Sequence, residues 1–267
     1  MKSVGELLRE WRTYRRLSQL DLAIAAEVSA RHVSLVETGK SHPSAAMVLR
    51  LADHLDVPLR DRNRLLLAAG YAPRYGQRSL DGQELRSARH AVESVLRAHE
   101  PFPALAIDQR WNIVLSNGAV GPFLAESDAE LLVPPINLVR LALHPRGLGG
   151  RVVNVAQVRA VLRARLARQL ARTRDPVVAE LYDRLIEAGP GDDADFVSIG
   201  TEIATPMTFR HRGEVLSLFS TTATFGTALD ITLEEISIEL YYPVDAQTEA
   251  HFRRLQPAPA ATDSTAP

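Results

Sequence analysis

The chain reads as two modules of different class: an all-helical N-terminal bundle, then an α+β half with a five-stranded antiparallel sheet and a helical insert. Three observations predict this. Five short segments of helical periodicity, with capping or stop signals between them, occupy residues 1–70. After Pro101 the pattern changes to short alternating runs, interrupted by a long helical stretch. Charge divides in the same region. Residues 1–80 carry 13 Lys and Arg against 8 Asp and Glu, a balance of +5, while the remainder carries 18 against 24, or −6.

The helices follow in order. Val4, Leu7, Leu8 and Trp11 recur at helical spacing, with Arg9, Arg12, Arg15 and Arg16 filling the other face. Ser18 opens a second helix containing Leu20, Leu22 and Ala23, and Asp21 completes an Asp form of the capping box. A turn at Glu27-Val28 leads to Ser29, which caps a third helix running to Thr38, and Gly39 is the left-handed residue beyond it. His42-Pro43-Ser44 begins a fourth helix with Met47, Val48, Leu51 and Leu55. Asp56-Val57-Pro58 begins a fifth, which stops at Gly70. Residues 1–70 are therefore expected to form one compact bundle.

Residues 71–83, with Pro73, Gly76 and Gly82, read as a linker, and residues 84–99 as an amphipathic helix opening a second domain over 84–255. Residues 103–108 and 111–116 alternate and form a hairpin through Asp108-Gln109-Arg110. The insert carries helices over 136–144, over 155–172 with Asn154 as cap, and over 176–188 with Asp175 as cap and Pro176 in the first position. The acidic run over 191–195 reads as a loop. Three strands follow, over 201–210, 214–225 and 235–242. Pro206 inside the first of these requires a sheet edge or a bulge. In the last strand Ile236, Ile238, Leu240 and Tyr242 alternate against Glu235, Ser237 and Glu239. Residues 256–267 have the composition of a disordered tail.

Composition removes several function classes. The 267 residues are 46% hydrophobic and 24% charged, enough for two packed domains. Cysteine is absent, so disulfides, thiolate zinc sites and cysteine nucleophiles are excluded. No run approaches the roughly 20 apolar residues of a membrane span, and residues 1–10 are not a signal peptide, so a cytoplasmic protein with no membrane partner is expected. His90, His99, His144, His211 and His251 show no metal-ligand spacing, and neither a nucleophile elbow nor a phosphate-binding glycine loop occurs. No cofactor, metal or catalytic residue is expected, and the chain does not read as an enzyme.

The segment from Ser18 to Gly39 has a mechanical logic. Two capped helices joined by a tight turn cross steeply and project the N-terminus of the second. Val33 and Val36 would anchor that helix, leaving Arg31, Ser34 and Leu35 facing outward. A major groove about 12 Å wide admits one such helix. Gln19 can offer donors to a phosphate, and Ser29 caps a helix end where the dipole favours an anion. Residues 3–69 resemble the lambda-repressor-like helix-turn-helix of the xenobiotic-response-element family of bacterial regulators, on the spine Leu17-Ser18-Gln19, Leu22-Ala23, Val28-Ser29, Val33-Ser34, Glu37, Gly39 and Pro43-Ser44. The resemblance implies that Gln19 and Lys40 contact the backbone of double-stranded DNA and that Ala30, Arg31, Ser34 and Leu35 face base edges. Ala30 and Leu35 stand where polar readers often sit, which makes Arg31 the main base-reading candidate. An alternative is a non-transcriptional interaction module whose bundle docks another protein, with Arg31 and Lys40 on a solvated face.

The back half resembles the MmyB-like ligand-binding domain, a PAS-like sensor, in Pro103-Ala104-Leu105-Ala106-Ile107-Asp108, Trp111-Asn112-Ile113-Val114, Asn117, the stretch from Asn137 to Gly147 and that from Phe219 to Glu235. This implies a PAS-like sheet in the order 2-1-5-4-3 and a small, largely apolar ligand such as a fatty acid, held between sheet and helical insert. Trp111, Asn117, Met207, Phe209 and Phe219 are candidate pocket residues, or else plain core. Arg140 and His144, four apart, could receive a carboxylate head, or could serve only as charges at a helix end. Arg159, Arg163, Arg168 and Arg172 form a charged stripe expected to face solvent. A homodimer is expected, because one short helix reads too few bases and paired half-sites lie about 34 Å apart.

Overall fold

The structure is a computed structural model that describes residues 2–187 and 205–255. The expected loop at 191–195, the start of the strand at 201–204 and the expected tail over 256–267 lie outside the described residues. The chain divides into two compact units, Met1–Gly82 with Arg168–Asp175 and Gly226–Glu234, and Gln83–Ala167 with Pro176–Phe225 and Glu235–Pro267.

The first unit is built on α1 (Val4–Tyr14), α2 (Gln19–Ala25), α3 (Ala30–Glu37), α4 (Ala45–His54) and α5 (Leu59–Ala68). Ser3, Ser18, Ser29 and Ser44 cap the first four, each side chain accepting the N–H three residues on. The core between them holds Leu8, Trp11, Leu22, Val33, Val36 and Leu51. Helix α5 begins at Pro58, which has no capping side chain, and Leu59 N–H instead donates to Glu234 Oε2 at 2.9 Å. Residues 71–82 are tied into this unit: Asn63 Oδ1 accepts Arg74 and Tyr75 N–H, and Ile231 N–H donates to Gly76 O. Arg15 donates to the carbonyls of Leu55 and Asp56, just beyond α4, and to those of Ala171 and Arg172. Its guanidinium and that of Arg174 both lie over Trp11.

The second unit contains α6 (Arg86–Ala98), β1 (Ala104–Ile107), β2 (Ile113–Ser116), α7 (Gly121–Leu124), α8 (Leu138–Leu143), most of α9 (Val155–Thr173), α10 (Pro176–Glu187), β3 (Met207–His211), β4 (Glu214–Thr224), β5 (Ser237–Pro243) and α12 (Ala246–Leu255). The four-residue α11 (Ile231–Glu234) belongs to the first unit. The five strands form one antiparallel sheet in the order β2-β1-β5-β4-β3, as the resemblance implied. Register sets the faces. Met207 stands opposite Leu218, Phe209 opposite Leu216, and Ser220 opposite Tyr241. Helix α6 packs on β1, β2 and β5, and α12 on β4 and β5. The insert covers the other face.

Five local expectations are corrected. Pro206 precedes β3, which begins at Met207, so the edge position is real but the proline is outside the strand. Trp111 is in the β1–β2 turn at φ 66°, not in a strand, because Asp108 Oδ1 gathers the N–H groups of Arg110 and Asn112 around it. Helix α8 spans only Leu138–Leu143 instead of reaching residue 144, and α12 forms where no helix was expected. Glu239, on what alternation alone marks as the polar side of β5, is fully buried, because both faces of the sheet are covered.

Gly5 marks the closest helix crossing in the bundle: a Cβ there would lie 2.3 Å from Val36 O and 2.9 Å from Glu37 O. Gly5→Ala must push α1 away from α3, and is expected to cost about 1–3 kcal/mol, read as a lowered Tm.

Candidate functional site

Helices α2 and α3 are joined by a turn in which Glu27 takes φ 52° and Val28 N–H returns to Ala23 O. Ser29 Oγ accepts His32 N–H at 3.1 Å and fixes the start of α3. Val33 and Val36 are buried, while Arg31 and Lys40 are exposed and Ser34 and Leu35 half-buried; Ala30, also half-buried, packs against the core of the bundle. The Arg31 guanidinium makes no hydrogen bond or ion pair among the described residues. Of the residues expected to meet DNA bases, Arg31, Ser34 and Leu35 thus stand clear of that core, and Ala30 does not.

The orientation of that helix is locked at its far end. Arg12 of α1 grips Glu37 with two bonds, Nε to Oε1 at 2.6 Å and Nη2 to Oε2 at 2.9 Å, and its Nη1 donates to Leu17 O. Gln19 Nε2 of α2 donates to the same carboxylate at 2.8 Å. The side-chain amide expected at a phosphate is therefore engaged internally. Burial pushes the Glu37 carboxyl up, but the bonds from Arg12 and Gln19 outweigh it, and the group is held below its ordinary value.

In the second unit two small cavities lie between sheet and insert. One, of about 50 Å³, is walled by side chains such as Val120, Phe123, Leu141, Phe209 and Leu218. The other, of about 80 Å³, is bounded by Trp111, Val158, Leu162, Arg165, Met207 and Ser220. Leu138, Leu148, Met207, Leu218 and Tyr241 belong to both walls. In the first cavity only Arg151 and Tyr241 carry polar side-chain atoms. Burial pushes the Tyr241 phenol above its ordinary value, with Glu239 adding to the effect, so it stays a neutral donor. Beside the second cavity Arg165 forms a two-point pair with buried Glu239, donates to Thr222 Oγ1 and lies 4.7 Å from the Trp111 ring.

The expected pocket residues separate accordingly. Trp111, Met207 and Phe209 line a cavity. Asn117 is buried as a staple, accepting Ala104 N–H and donating to the Leu96 and Phe102 carbonyls. Phe219 points to the opposite sheet face and stacks on Tyr242. Arg140 is exposed and His144 half-buried, and neither lines either cavity. Helix α8 ends at Leu143, and His144 closes it as the C-cap, its N–H donating to Arg140 O at 3.0 Å. In the arginine stripe Arg168 and Arg172 are exposed, whereas Arg159 and Arg163 are half-buried.

Arg151, Arg165 and Tyr241 were not among the sequence candidates. For Arg151 a signal did exist. Gly149 and Gly150 come so close to the end of α8 that a Cβ would meet Leu143 C at 2.6 Å and Pro145 O at 2.1 Å. This glycine turn delivers Arg151 to the cavity wall.

Residues 3–65 match the profile of a helix-turn-helix domain, and residues 88–255 that of an MmyB-like transcription regulator ligand binding domain. Over 101 residues the chain is 31% identical to an uncharacterized HTH-type transcriptional regulator, RghRB, of Bacillus subtilis (strain 168). That stretch is 38% of this chain and 66% of the relative, just under two thirds of its length. No described helix is long and apolar enough to cross a membrane.

The Glu37 lock predicts a specific pH effect. A carboxyl whose folded pKa is depressed stabilises fully above its unfolded value of 4.5, and that contribution is lost as pH falls through the lower folded value. The stability difference between wild type and Glu37→Gln should therefore shrink in denaturant titrations below pH 4.5. At neutral pH, Glu37→Ala should cost about 3 kcal/mol, since it strands a buried guanidinium.

Proposed function

This chain belongs to the MmyB-like family of transcription regulators, a ligand binding domain behind a helix-turn-helix domain, and from that premise we propose that it binds a DNA operator through α3 under the control of a small, largely apolar ligand. Arg31 reads base edges, its fork suited to guanine O6 and N7, with Ser34 beside it and Ala30 and Leu35 making apolar contacts. Ser29, Lys40 and the first turn of α2 at Gln19 hold the phosphate backbone. Two copies of the chain present two such helices to paired half-sites. The single observation that carries this reading is the free, exposed guanidinium of Arg31 on a helix whose other side is clamped by Arg12 and Gln19.

The ligand occupies the space between sheet and insert, and the carbon-rich wall of the smaller cavity supports an alkyl chain such as that of a fatty acid. At about 50 and 80 Å³ the two cavities fall well short of the roughly 300–1,000 Å³ of an occupied small-molecule site. Entry must therefore part the shared side chains, among which Met207 is the most adaptable. A ligand that fits only the opened arrangement shifts the population toward it. Native mass spectrometry of the purified chain should then retain a lipid-sized adduct that organic extraction removes.

DNA binding is tested with genomic fragments. Arg31→Ala should weaken selective binding by about 1–3 kcal/mol, relaxing preference at one base position, with unchanged thermal unfolding. If wild type shows no selective DNA binding, the bundle is a protein-docking module and this reading fails.

A further inference from the structure

The polar end of the smaller cavity is a set of charges that reaches solvent at Glu126. Arg151 donates from Nη1 to Glu126 Oε2 at 2.7 Å and from Nη2 to Phe123 O at 2.6 Å, while its Nε is buried and meets no partner among the described residues. Glu126 Oε1 also receives His211 Nδ1 at 2.9 Å. His211 is buried and stacks on Phe123, a wall residue, at 4.6 Å; its Nε2 is likewise buried and unpartnered. Beyond it His251 of α12 packs edge-on at 5.4 Å, with Nδ1 on Glu214 Oε2 at 3.0 Å, and Arg254 binds the same carboxylate. The groups facing His211 are thus Glu126, Arg151, Arg212 of the β3–β4 turn, Glu214 of β4 and His251. Burial holds the His211 imidazole below the usual histidine range, with Glu126 pulling the other way.

Each carboxylate here, Glu126 and Glu214, already has its own guanidinium. The Arg151–Glu126–His211 set is therefore neutral while the imidazole is neutral, and it borders a wall of carbon. An added carboxylate would carry an unmatched charge into a poorly solvated place. An uncharged oxygen meets no such penalty and satisfies a stranded donor.

We propose that the Arg151–Glu126–His211 cluster receives the polar end of the ligand in uncharged form, with Arg151 Nε donating to it. The oxygen is that of a long-chain alcohol or ester, or of a fatty acid that enters together with one proton. This rests on the apolar-ligand reading above and adds the chemistry of the head group. For a fatty acid the proton stays on the bound carboxyl, so the filled site keeps its net charge.

Titration calorimetry of the full chain with decanol and with decanoate, at several pH values in buffers of different ionisation enthalpy, tests this. Between about pH 6 and about pH 8 the affinity for decanol should be flat, while that for decanoate falls about tenfold per pH unit with one proton taken up. Glu126→Gln removes the matching charge and leaves Arg151 a free cation. Decanoate should then bind more tightly than to wild type, its pH dependence lost, with decanol little changed. Wild type binding decanoate equally well across this range without proton uptake would overturn the assignment, as would no response of decanoate to Glu126→Gln. Failure of both compounds to bind wild type at any pH would overturn the apolar-ligand reading itself, and the head-group assignment with it.

Discussion

One buried carboxylate organises the N-terminal unit. Glu37 has 2% of its side chain exposed, a position that a charge occupies only when it is matched and hydrogen-bonded. Its partners come from two other helices, Arg12 of α1 and Gln19 of α2. Hydrophobic contacts through Val33 and Val36 are non-directional and would tolerate some rotation of α3 about its axis. The two-point guanidinium bond does not, because its geometry is planar and fixed. The outward presentation of Arg31 follows from what is held inward at Glu37.

The second unit uses the same device under different conditions. Arg165 with Glu239 and Arg151 with Glu126 each place a guanidinium against a carboxylate at the wall of an apolar space. Such pairs add little net stability compared with a well-packed apolar substitute. They do determine which polar atoms are left over. At Arg151 the leftover among the described residues is Nε, whereas beside the second cavity Arg165 is satisfied by Glu239 and Thr222. Both cavities are small, and five wall residues separate one from the other.

Most of the bundle was legible in the sequence, because its signals are local. Ser18, Ser29 and the residues three positions after them are linked by bonds within one turn, so spacing alone locates the caps. The hairpin at Asp108 and the edge position of the strand after Pro206 were readable for the same reason, although Trp111 was assigned to a strand and Pro206 to the interior of one. Arg140 and His144 show where local spacing runs out. It places both at the end of one helix, but it does not say which cavity that end faces, and neither residue lines the two cavities described.

By itself the amino-acid order determined the helical front and the sheet-bearing back, the capped helices and the exposure of Arg31, all of which depend on periodicity and on neighbours within a few positions. Tertiary structure alone decided which polar groups are buried and with whom. Gln19 lies 18 residues from Glu37, Arg151 60 from His211, and Arg165 74 from Glu239. No period or local propensity encodes such pairings. They arise when packing removes water from both partners at once, and that is known only when the elements have come together.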